Sequence, residues 1–123
     1  MELKEQLTNL ELSKKMKELG FDQSLFIGSC YFSNLPRDNR QEKVKTISSN
    51  SRLVEARKSK KGYIKAYTVA ELGEMLPIKS STHRNFKDAY VCEVENIEEY
   101  QVAKTEANAR AKMLIYLKEK KFI

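Results

Sequence analysis

Residues 105–120 constrain this chain most. At about 100° per residue, Ala107, Ala111, Leu114 and Leu117 fall on one face of a helix, with Met113 and Ile115 on its flanks. Thr105 is placed to cap the start, Glu106 lies in the first turn, and Lys118, Lys120 and Lys121 complement the dipole at the end. The alanines let such a helix pack closely on a sheet, as the lid of a hydrophobic core. Arg110 breaks the pattern, because it falls on the apolar stripe beside two alanines. A buried, unpaired guanidinium is too costly to keep, so Arg110 needs a partner. The expected partner is Glu71 or Glu74 on a short middle helix. The other reading is an anionic ligand such as a phosphate, which suits the bidentate fork of arginine.

The rest of the chain supplies elements for that helix to cover. Thr8 and Glu11 have capping-box spacing, Leu7 and Leu12 fill the staple positions, and Gly20 follows Leu12, Met16 and Leu19. A first helix is therefore expected over residues 8–19. Residues 24–32 are rich in strand formers with apolar side chains on both faces, and Gly28 marks a bulge or a close backbone approach. Val44-Lys45-Thr46-Ile47 and Arg52-Leu53-Val54-Glu55-Ala56 read as short strands around a serine-rich turn, or else as parts of a mobile loop. After the turn-like residues 58–62, Tyr63-Ile64-Lys65-Ala66-Tyr67 is a strand, apolar but for Lys65. Thr68 and Glu71 repeat the capping box ahead of Val69, Leu72, Met75 and Leu76, and Pro77 stops that helix. Residues 78–87 read as a loop. Residues 89–94 and 98–103 read as strands joined through a turn at Glu95-Asn96.

Short turns between neighbouring strands favour an α+β fold: an antiparallel sheet of about 4–6 strands carrying the N-terminal, middle and long C-terminal helices. At 123 residues and 41% apolar, the chain is expected to form one domain, 1–123. No apolar run reaches the eighteen or so residues of a membrane helix, and residues 1–6 lack the core of a secretory signal, so a cytoplasmic protein is expected. Cys30 and Cys92 are far apart in sequence and read as reduced core residues.

Charge is unevenly spread. Of the net +6, residues 36–65 carry ten Lys and Arg against three acids, a local +7, and the remainder is close to neutral. Within this segment, Arg57, Lys58, Lys60 and Lys61 are interleaved with Tyr63 and Tyr67, a pattern suited to phosphates by charge and to bases by stacking. The bland alternative is a solvated, mobile excursion over about residues 37–62. Catalysis has little support. His83 is the single histidine and sits in a polar stretch, no close ligand pair suggests zinc, and the four glycines are isolated. Glu93, Glu95, Glu98 and Glu99 cluster beside a turn and read as solvated carboxylates or partners of the basic segment. No cofactor is expected, and the chain does not read as an enzyme.

Three blocks, residues 12–26 (LSKKMKELGFDQSLF), 67–77 (YTVAELGEMLP) and 105–117 (TEANARAKMLIYL), together resemble small bacteriophage and prophage proteins. That family has no settled activity, so the resemblance implies phage provenance and residence in the host cytoplasm more than a mechanism. It is in keeping with two expectations. One is an interaction protein whose basic segment contacts a host protein or nucleic acid. The other is a homo-oligomer that sequesters a nucleotide or similar anionic small molecule, with Arg110 as a contact. A hydrolase or nuclease is a remote third.

Overall fold

The computed structural model describes residues 6–33, 44–57, 63–85 and 88–123, with the backbone alone for 52 and 55–57. The chain divides into two compact units, Asn9–Tyr67 and the combination of Met1–Thr8 with Thr68–Ile123. The fold is α+β. Among the described residues there are six strands, and they form two antiparallel three-stranded sheets, one in each unit, not a single sheet.

The unit Asn9–Tyr67 begins with α1 (Leu10–Glu18). Its N-cap is Asn9, whose side chain accepts from the Leu12 amide at 2.9 Å. The expected Thr8 cap is not used. Thr8 follows Leu7, which is bridged to Thr68 within the unit that both share, and asparagine is the stronger cap one residue later. The helix ends as expected at Gly20, with φ +88°: the Phe21 amide returns to the Met16 carbonyl and the Gly20 amide to Lys17.

The sheet of this unit has the order β2-β1-β3, with β1 Cys30–Ser33, β2 Val44–Thr46 and β3 Tyr63–Ala66. The register sets Tyr31 opposite both Lys45 and Lys65, and Cys30 opposite both Thr46 and Ala66. Cys30, Phe32, Ile64 and Ala66 therefore share one face, and all four are buried. α1 packs on β3, with Met16 fully buried. On the opposite face, Leu25 and Ile47 form a second buried cluster with Tyr31, Tyr63 and Leu53. Leu53 belongs to α2 (Asn50–Arg57). A helix thus replaces the strand or loop expected at residues 52–56, with the Leu53 amide bonded to the Ser49 carbonyl at 3.0 Å. Arg, Leu, Glu and Ala are good helix formers, and eight residues are too few for periodicity to reveal them. β1 is also shorter than the expected strand, because the chain turns at residues 26–29 around Gly28, φ +96°.

The second unit contains α3 (Val69–Met75), β4 (Ser80–Arg84), β5 (Tyr90–Val94), β6 (Gln101–Ala103) and α4 (Glu106–Glu119). The Thr68 capping box is complete. The Thr68 amide donates to Glu71 Oε1 at 3.0 Å, and the Glu71 amide donates to Thr68 Oγ1 at 3.1 Å. The expected loop at 78–87 instead contains β4, whose sequence Ser-Ser-Thr-His-Arg carries no apolar alternation. It forms as an edge strand, with Thr82 opposite Cys92 and His83 opposite Val91. Asn96 turns the chain between β5 and β6 at φ 69°, where a turn is expected. α4 is capped by Thr105, which accepts from the Asn108 amide at 3.2 Å. It packs on α3 and on all three strands of its sheet. It is covered on more than one stripe: Ala109, Met113 and Ile115 are buried along with Ala107, Ala111, Leu114 and Leu117.

Candidate functional site

Arg110 is anchored at three nitrogens. Nε donates to Thr82 Oγ1 on β4 at 3.1 Å, Nη1 to the Val69 carbonyl at the start of α3 at 2.8 Å, and Nη2 to Glu106 one turn earlier on α4 at 2.8 Å. Its carboxylate partner is therefore Glu106, not Glu71 or Glu74. Glu71 is held by its own capping box. The ion pair is largely shielded, with side-chain exposures of 21% and 29%. The guanidinium also lies against Gly73, where an added Cβ would come within 2.6 Å of Nη1. Beside it opens a cleft of about 370 Å³ lined by Gly73, Glu74, Pro77, Ile78, Ser80 and Ser81 among others. With Glu106 answering its charge, Arg110 brings no net positive charge to that cleft. Its geometry is that of a tie between α4, α3 and β4.

Thr82 links Arg110 to Cys92, donating from Oγ1 to Sγ at 3.6 Å. Burial pushes the Cys92 thiol up from its ordinary value, against the smaller lowering effects of Thr82 and Arg110. A neutral, buried thiol is a poor nucleophile. Cys30 is likewise free and buried, with Sγ 3.6 Å from Thr46 Oγ1. Among the described residues, no group of three or more His, Cys, Asp and Glu side chains is placed to hold a metal ion. His83 is exposed on β4 rather than in a loop. Of the acidic cluster, Glu93, Glu95 and Glu98 line a shallow groove with Lys79 and Tyr100, and Glu95 pairs with Lys79 at 3.6 Å, both well exposed. No described helix is long and apolar enough to cross a membrane.

The basic residues lie in the other unit. Arg57 ends α2, whereas Lys58, Lys60 and Lys61 lie outside the described residues. Tyr63 is engaged internally: its hydroxyl donates to the Gln23 carbonyl at 2.8 Å, its ring stands edge-on to Tyr31, and Lys17 lies over it at 5.9 Å. Tyr67 is only 2% exposed, with its hydroxyl bonded to the Asp22 carbonyl and accepting from Gln23 Nε2, so it offers no face to a base. Neither tyrosine stands free to stack.

A different group emerges around Lys65. This lysine is 5% exposed, and its ammonium donates to the Ser24 carbonyl at 2.7 Å. It lies 5.4 Å from the Tyr67 ring centroid and 5.8 Å from that of Phe26, within cation–π range of both. The Lys65 amide at the sheet edge donates to Gln23 Oε1 at 2.9 Å. Asp22 closes a local turn by accepting from the Ser24 hydroxyl and amide, which hold its carboxyl below the usual range. The lone lysine in an apolar strand was the sequence signal for this arrangement. Phe26 itself gave no signal, because its neighbours read as a continuous strand.

No protein-family model, curated protein or solved structure matches the chain.

Proposed function

We propose that this chain is a non-enzymatic interaction protein of bacteriophage type that binds nucleic acid electrostatically through its basic unit. The observation that carries the proposal is the partition of charge between the two units. Asn9–Tyr67 holds thirteen Lys and Arg against six acids, a net of +7, while the other unit holds ten against eleven, a net of −1. A unit whose sequence carries that excess attracts polyanions, and binding to phosphates is driven by counterion release. The neutralised Arg110 weighs against sequestration of a small anion as the main role. The phage assignment rests on the resemblance of residues 12–26, 67–77 and 105–117.

The test is retention on immobilised DNA and RNA as salt is raised. Retention at low salt that is lost steeply is expected. The proposal fails if replacing Arg57, Lys58, Lys60 and Lys61 together by Ser leaves retention unchanged.

A further inference from the structure

We propose that Phe26 is a stacking platform for the bases of single-stranded nucleic acid; this rests on the nucleic-acid reading of the basic unit. Phe26 is 60% exposed and its neighbour Ile27 56% exposed, on a turn held from several sides. The Ser29 amide donates to the Phe26 carbonyl at 2.9 Å, and the Phe26 amide donates to Ser29 Oγ at 2.9 Å. Gly28 donates to the Ile47 carbonyl at 2.7 Å, and Ile47 donates back to Ser29 at 2.9 Å. The exposed ring therefore sits on a braced backbone, and stacking on it requires little further ordering.

The ring is also supported from below. The buried Lys65 ammonium lies 5.8 Å from its centroid and is fixed by the Ser24 carbonyl and the Tyr67 ring. Among the described residues of this unit, Phe26 is the one exposed aromatic ring, since Phe21, Tyr31 and Tyr63 are half-buried and Phe32 and Tyr67 buried. A flat, solvent-facing ring on a braced turn, in a unit whose sequence carries a net +7, combines the two elements of sequence-tolerant single-strand binding, charge for the backbone and a face for the base. In a duplex the bases are already stacked on one another, so Phe26 distinguishes single strands.

Phe26→Trp gives this chain its only tryptophan, since its sequence has none. Titration with a short oligo-dT is expected to quench that fluorescence, and a blunt duplex of equal length to leave it unchanged. Phe26→Ala is expected to weaken single-strand binding about tenfold, with the salt dependence retained. A thermal melt confirms that the exposed position tolerates the change. If the wild type binds single strands but Phe26→Ala binds as tightly and the tryptophan is not quenched, Phe26 is no platform and the charge reading stands. If duplex binds as tightly as single strand, with the same loss in Phe26→Ala, selectivity for single strands is refuted. If neither nucleic acid binds at low salt while poly-glutamate does, both proposals fall together.

Discussion

Arg110 enters a helix among alanines and leucines, and three elements converge on it. Val69 supplies a carbonyl from α3, Thr82 a hydroxyl from β4, and Glu106 a carboxylate from the same helix. Gly73 is the residue that makes room, because any Cβ there displaces Nη1. Gly73→Ala should therefore destabilise the protein by about 0.5–1.5 kcal/mol, the worth of the Nη1 hydrogen bond to Val69 that the methyl displaces. In an Arg110→Met background the same change should become neutral or stabilising by up to about 1 kcal/mol, through alanine's better helix propensity. Denaturant unfolding of the double-mutant cycle measures this, and additive effects would show that Gly73 and Arg110 do not interact. Cys92 offers a pH test at the same scale. Its thiol pKa is raised in the folded state, so its contribution is fully present below the ordinary value of 9.0 and is lost as pH rises from there through the folded value. Stability should decline above that pH, and Cys92→Ala should flatten the decline. An unchanged alkaline slope in the variant would assign the loss to other groups.

Elements followed the sequence where local chemistry was complete and departed from it where a neighbour decided. Thr68 and Glu71 carry a full capping box and form it; Thr8 and Glu11 carry the same spacing and do not, since Asn9 caps α1. Asn9→Ala should cost about 1 kcal/mol and Thr8→Ala should leave the helix cap intact. Equal loss of helical signal per degree of heating in the two variants would contradict that assignment. β4 could not be read from Ser-Ser-Thr-His-Arg, because its partner β5 supplies the register and its polar side chains suit an edge. α2 was hidden for a different reason. Among its described side chains, Leu53 is the one that joins the Leu25–Ile47 cluster, and one anchor makes no period.

At the scale of the whole molecule, the charge asymmetry follows the division into units. The segment 36–65 already stood out in the sequence, and its described residues belong to the same unit as α1 and the β2-β1-β3 sheet, Asn9–Tyr67, whose sequence carries a net +7. For about four phosphate contacts, affinity should fall roughly a hundredfold between 50 and 200 mM salt. Removing Arg57, Lys58, Lys60 and Lys61 should flatten the slope of log affinity against log salt by about 3. Charge-neutralising Lys118, Lys120 and Lys121 in the other unit should leave that slope nearly unchanged, and a comparable flattening there would sink the partition argument.

The sequence by itself determined the α+β class, the helix that covers the second sheet, the middle capping box and the location of the positive charge. Each of these depends on spacing or composition along a few consecutive residues. Only the tertiary structure decided that the strands form two sheets, that Arg110 pairs with Glu106, that Tyr67 is buried and Tyr63 half-buried with its hydroxyl on Gln23, and that Phe26 is the ring left facing solvent. Those facts depend on which residues distant in sequence become neighbours. Tyr67 is closed off by Asp22 and Gln23, more than forty positions away in the chain, and Lys65 reaches back as far to Ser24.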